Sequence, residues 1–175
     1  MERTMHATVH LTHPISDGDL ERFSRENPGW QVERDGTGSL FMSPTFAAGG
    51  AKNAELTWQL VNFAHRFGGK AFDSNAGFTL PDGSVLSPDG SWISQDRWVG
   101  LSESQRESYT AIVPNVWIEL RSKTDSVLRL QAKLKIVRSF GADYVLLIDP
   151  SERATWSEGI APDGLLLDLD AIYDA

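Results

Sequence analysis

Residues 115–150 read NVWIELRSKTDSVLRLQAKLKIVRSFGADYVLLIDP, and they decide the fold. Asn115 to Arg121 alternates, with Val116, Ile118 and Leu120 on one face and Trp117, Glu119 and Arg121 on the other, which predicts a strand. From Thr124 to Phe140, Val127, Leu130, Leu134 and Val137 recur at helical spacing and Gly141 stops the segment, which predicts a long helix. Asp143 to Ile148 is a short continuous apolar run suited to a buried strand, ended by Asp149-Pro150. This strand–helix–strand stretch is long enough for a parallel crossover, so the sheet is mixed.

On the N-terminal side, Ser16-Asp-Gly-Asp19 predicts a capped helix running to about Asn27 and stopped by Pro28-Gly29. Trp30 to Arg34 and Ser39 to Met42 follow as strands joined by the turn Asp35-Gly-Thr-Gly38. Leu56, Leu60, Phe63 and Phe67 give a first long helix over Ala51 to Phe67, closed by Gly68-Gly69. Shorter strands are predicted at Lys70–Asp73 and Phe78–Leu80, with one strand at Val85–Ile93 after the turn Pro81-Asp-Gly-Ser84. Gly100 to Thr110 reads as a surface loop or short exposed helix, and the tail after Pro150 as edge strands. The fold class is α/β (α+β): a central mixed sheet flanked by helices, with an N-terminal helix and strand extension.

A length of 175 residues, 41% of them hydrophobic, supports one domain over 1–175. Sixteen basic and 24 acidic residues give a net charge of −8, which argues against bulk attraction to nucleic acid or anionic membrane. The charge is uneven. Arg121 to Arg138 holds Arg121, Lys123, Arg129, Lys133, Lys135 and Arg138 against Asp125, whereas Gly141 to Ala175 holds eight acids against Arg153. The absence of cysteine removes disulfides, thiolate zinc sites and thiol nucleophiles. With no apolar run long enough to span a bilayer and no apolar leader at Met1, the expectation is a cytoplasmic protein.

Two acids sit where strands disfavour them. Asp89 follows Pro88 inside a strand pattern, and Glu119 lies between apolar and aromatic neighbours. Two carboxylates brought together from adjacent strands repel, unless a hard divalent cation lies between them. Such an ion lowers the pKa of bound water and stabilises charge on a phosphoryl oxygen, which is the chemistry of phosphodiester hydrolysis. Arg121, two residues from Glu119, would place a fixed positive charge on the same strand face. Lys133, beside the apolar stripe, is preferred to Lys135 for positioning or deprotonating water. The plainer readings are a Pro-Asp-Gly turn for Asp89, an exposed ion pair with Arg121 or Lys123 for Glu119, and a solvated face for Lys133 and Arg129. His6, His10 and His13 lack a completing ligand set, the six tryptophans are scattered, and no phosphate-cradling glycine loop is present.

Pro88-Asp89, Asn115-Val-Trp-Ile-Glu-Leu-Arg-Ser122 with Asp125, Lys133 eight residues before Gly141, and Ile148-Asp149-Pro150 together resemble the Uma-two family. These are bacterial restriction-endonuclease-like proteins of the PD-(D/E)XK nuclease superfamily. The likeness runs from Ser43-Pro44 to Pro150, giving a nuclease core of about 44–150, an N-terminal extension 1–43 and acidic C-terminal strands 151–175. It implies a restriction-endonuclease-like fold and Mg²⁺- or Mn²⁺-dependent cleavage of DNA. Asp89 would match the metal-binding Asp, Glu119 the second acidic ligand and Lys133 the lysine carried on the following helix. Glu55 falls where related nucleases often carry an additional acid, although a surface-helix role suits it better. Arg121 stands where the superfamily motif has lysine, which keeps open a catalytically inactive module that binds nucleic acid or protein. A third reading is a homodimer or larger homo-oligomer, a scaffold built through the C-terminal strands.

Overall fold

The computed structural model describes residues 7–9, 11, 13, 15–28, 30–44 and 47–175; His6, His10 and Gly29 lie outside them. Ser16 caps α1 (Asp17–Glu26), its Oγ accepting from the Asp19 N–H, and the helix buries Leu20. Next, β2 (Trp30–Arg34) pairs antiparallel with β3 (Leu40–Pro44), and β1 (Ala7–Val9) lines the far side of β3. The turn between β2 and β3 is tied by Asp35 Oδ1, which accepts from the Thr37 and Ser39 N–H groups.

The long helix α2 (Ala47–Phe67) starts four residues earlier than its apolar period predicts. It leads to β4 (Lys70–Asp73), β5 (Phe78–Thr79), β6 (Val85–Leu86) and β7 (Gly90–Ile93). Val85 to Ile93, predicted as one strand, is therefore two. Pro88 has no N–H for a ladder, and the chain leaves one sheet at Leu86 to join the other at Gly90. Two short helices follow, α3 (Gln95–Val99) and α4 (Glu103–Arg106), the latter in the polar stretch and opened by a Ser102–Gln105 capping box.

The crossover stands as its sequence dictates. β8 (Val116–Leu120), α5 (Val127–Ser139) and β9 (Tyr144–Asp149) place β8 and β9 parallel, with Trp117 opposite Val145 and Glu119 opposite Leu147. In the tail, β10 (Ala154–Gly159) is the edge strand expected there. The rest is not a strand but α6 (Leu169–Asp174), capped by Asp168. Ile172 is buried in the cluster that holds Leu56 and Leu60 of α2, so this segment gains more by burying one helical stripe than by extending the sheet.

The central sheet runs β10-β9-β8-β7-β4, and an N-terminal sheet runs β1-β3-β2-β6-β5. The second draws its strands from both sides of α2, with Arg34 of β2 opposite Val85 of β6. The alternation in β8 sorts the core. Val116 and Ile118 pack with Leu56, Leu60 and Phe63 of α2, while Trp117 packs on the opposite face with Leu134 and Val137 of α5. Glu119, two residues beyond Trp117, is thereby turned toward α5.

Gly90 lets α2 lie close on β7. A Cβ there would stand 2.8 Å from Leu56 Cδ2 and 2.9 Å from Leu60 Cδ1. Gly90→Ala is expected to lower stability by about 1–3 kcal/mol through overpacking, read as a lower urea midpoint at unchanged slope.

Candidate active site

Three elements deliver the charged groups. Asp89 immediately precedes β7, which runs antiparallel to β8 with Gly90 opposite Ile118. Its Oδ2 accepts the Leu120 N–H at 2.7 Å, so the backbone of the Glu119 strand itself holds the Asp89 carboxylate. Its Oδ1 accepts from Asn53 Nδ2 of α2 at 3.3 Å. Glu119 is 5% exposed, and its Oε1 accepts the Trp117 indole N–H at 2.7 Å and lies 2.9 Å from Lys133 Nζ. Lys133, one residue before buried Leu134 on α5, also donates to Glu33 Oε1 at 3.0 Å. That same Glu33 oxygen accepts the Ser87 N–H at 2.8 Å.

The electrostatics follow from burial. Desolvation pushes the Asp89 carboxyl up to about 6, against the pull of the Leu120 N–H and of Lys133. Glu119 is pushed up to about 7 by desolvation, with Lys133 opposing and the charges of Asp89 and Glu33 adding to the rise. Lys133 holds its proton well above the usual lysine range, because Glu119 and Glu33 outweigh its own desolvation. A lysine clamped between two carboxylates is held as a cation, which suits the positioning of water better than its deprotonation.

Asp89, Glu119 and Lys133 are thus brought together, and two other candidates are not. β8 ends at Leu120, so strand alternation does not carry Arg121 back beside the Glu119 carboxylate. Its guanidinium pairs with Asp149 Oδ2 at 2.7 Å and donates to the Asp125 carbonyl and Ser151 Oγ. Glu55 accepts from Gln59 Nε2 at 2.8 Å, and Gln59 in turn binds the Asp168 backbone. It therefore faces the C-terminal segment, and α2 sends Asn53 to Asp89 instead. Lys135 lies 4.0 Å from Glu158 on the surface, away from this cluster. Among the described residues, no three His, Cys, Asp or Glu side chains converge as a metal cage.

A family model, Uma2, described as putative restriction endonuclease, matches residues 18–157. The chain belongs to the Uma2 family. One solved structure that matches is described as a putative nuclease belonging to DUF820 from Anabaena variabilis. It is 16% identical, covers 92% of this chain and 98% of its own, and superposes with a TM-score of 0.66. A likeness of that identity bears on the fold, a mixed sheet flanked by helices. No curated protein matches the sequence.

The Uma2 chain also uses residues that sequence reasoning passed over. Asn53 looks like any polar position on a helix, and Trp117 like any core aromatic. Glu33 gave no local signal, since its partners lie 54 and 100 residues away. Its place on β2, alternating with buried Val32 and Arg34, was the one available hint that it faces away from their side. Among the described residues, no helix is long and apolar enough to cross a membrane.

Proposed function

We propose that this Uma2 chain is a divalent-cation-dependent endonuclease that hydrolyses DNA phosphodiester bonds at the Asp89–Glu119–Lys133 cluster. The observation that carries this reading is the meeting of two carboxylates, buried Glu119 on β8 and half-buried Asp89 just before β7, joined through the Leu120 N–H and faced by one protonated lysine. Family membership and a nuclease-named structural neighbour support it.

The donor set fits Mg²⁺ or Mn²⁺. Each carboxylate is held above its ordinary pKa by burial, a cost that a hard cation between them relieves. Two carboxylates, with water and substrate phosphate completing the shell, are the ligands Mg²⁺ ordinarily takes. Asp89 and Glu119 would hold the ion. When bound, it supplies a water of lowered pKa and a Lewis acid for a phosphoryl oxygen.

The chain's own groups do the rest. The Leu120 N–H and Asn53 fix the Asp89 carboxylate, and the Trp117 indole fixes Glu119, so neither has to be ordered when substrate arrives. Lys133 offers a permanent ammonium for the charge that grows on the phosphate. Its position beside Glu119 supports an active site over the inactive module, because the lysine absent at 121 is present from α5. Arg121 acts as a brace between β8 and the end of β9.

The test is cleavage of supercoiled plasmid and of single-stranded DNA with Mg²⁺ or Mn²⁺. Both carboxylates must be ionised to hold the ion, so the rate is expected to rise through about pH 6–7 and level off above, and chelator is expected to abolish it. Absence of cleavage with either ion, or cleavage indifferent to chelator, would overturn the reading.

A further inference from the structure

We propose that Glu33, on the N-terminal sheet, is a positioning residue of this site: it holds Lys133 and the segment leading to Asp89 at once, and so strengthens divalent-cation binding between Asp89 and Glu119. The inference rests on the metal reading above and adds to it a residue from outside the central sheet.

The geometry is specific. One oxygen, Glu33 Oε1, accepts both the Ser87 N–H at 2.8 Å and Lys133 Nζ at 3.0 Å. Ser87 stands just before Pro88, which has no N–H, so its amide is the last backbone donor ahead of Asp89. Through that bond Glu33 fixes where the chain leaves β6 and delivers Asp89 to the central sheet. Through the other it directs one of the three donors of Lys133, while a second points to the same Oε1 of Glu119 that binds Trp117. The lysine is therefore suspended between the two sheets rather than lying wholly on Glu119.

The charge count points the same way. With all four groups ionised, Asp89, Glu119 and Glu33 against Lys133 leave two negative charges, which one divalent ion neutralises. Without the Glu33 carboxylate the lysine would neutralise one of the two remaining carboxylates and leave a single charge to attract the ion. A simple brace between sheets would need an acceptor oxygen at this place but no charge. That difference separates the proposal from a purely structural role for Glu33.

The experiment uses the indole N–H resonances of the full-length ¹⁵N-labelled protein, six in number, with the Trp117 signal identified through Trp117→Phe. The Trp117 indole donates to Glu119, so it reports on the site during titration with MgCl₂. Glu33→Gln keeps an acceptor oxygen for Ser87 and Lys133 and removes the charge. It is expected to raise the Mg²⁺ dissociation constant about 10- to 100-fold, the usual effect of removing an outer-shell partner, with the other five indole signals in place as evidence of a native fold. Glu33→Asp, which keeps the charge at shorter reach, is expected to fall between. If wild type titrates and Glu33→Gln titrates with the same constant, the role of Glu33 is overturned and the metal reading stands. If the wild-type Trp117 signal does not respond to Mg²⁺, both are overturned.

Discussion

Glu119→Gln is expected to reduce Mg²⁺-supported DNA cleavage by about 10²–10³-fold, the scale of losing one dedicated charge-stabilising group from a catalytic site, and to do so without unfolding the protein. The amide keeps an oxygen for the Trp117 indole and for Lys133, so the packing of β8 against α5 is preserved. What it loses is the negative charge needed to bind a hard cation. Stability gives a second, independent readout. Because Glu119 has a folded pKa of about 7, above its unfolded value, its contribution is favourable at low pH and is lost as pH rises through the folded pKa. At pH 8 the ionised carboxylate costs stability and the amide does not; at pH 5 both are neutral. The denaturation midpoint of the variant is thus expected to meet or exceed wild type at pH 8, and the two are expected to converge at pH 5. Retention of more than a tenth of wild-type cleavage would remove Glu119 from the site.

The central sheet was legible because its signals are local. Val116 to Leu120 alternates, Val127 to Val137 repeats at helical spacing, and the run to Ile148 is apolar throughout, so strand, helix and strand could be assigned without knowing their partners. Asp89 and Glu119 stood out for a related reason: each violates the apolar pattern around it. The remaining parts of the site depend on contacts that local pattern does not encode. Pro88 looked like an interruption in one strand, when it is the point where the chain changes sheets. Arg121 reads as a neighbour of Glu119 by alternation, but it lies one residue past the end of β8, where Asp149 captures the guanidinium. Glu55 draws attention by its charge, yet the helical phase of α2 turns Asn53 to Asp89 and Glu55 to Gln59.

Charge patterning was likewise informative but incomplete. The basic stretch from Arg121 to Arg138 looks like a ready surface for the phosphates of a nucleic acid. In the fold much of it is already matched: Arg121 by Asp149, Lys133 by Glu119 and Glu33, Lys135 by Glu158. Arg129 remains exposed, stacked on Phe41 of β3 at 5.8 Å. A net charge of −8, with three of the six bases in this segment matched by carboxylates, predicts for the proposed nuclease an affinity for DNA that varies weakly with salt.

Lys133→Met is the most severe test of how the site is held together. Removing the ammonium leaves Glu119 and Glu33 facing one another in a partly buried setting with no cation between them. Breaking a buried ion pair from one side typically costs about 3–5 kcal/mol, and with Lys133 about 20% exposed the lower end, about 3 kcal/mol, is expected at pH 8. The loss is expected to shrink as pH falls. Without Lys133 the Glu119 pKa rises further above its unfolded value, so the folded variant takes up protons more readily than the unfolded chain, and acid restores its stability through linkage. Urea unfolding at pH 8 and pH 5.5 measures both quantities; an equal deficit at the two pH values would show that Lys133 acts through packing of its alkyl chain instead. Lys133→Arg supplies the control for charge. It is expected to retain most of the stability, since a guanidinium can meet both carboxylates, but to lose activity, since its planar fork cannot direct donors to Glu119, Glu33 and a phosphate from one point as the ammonium does.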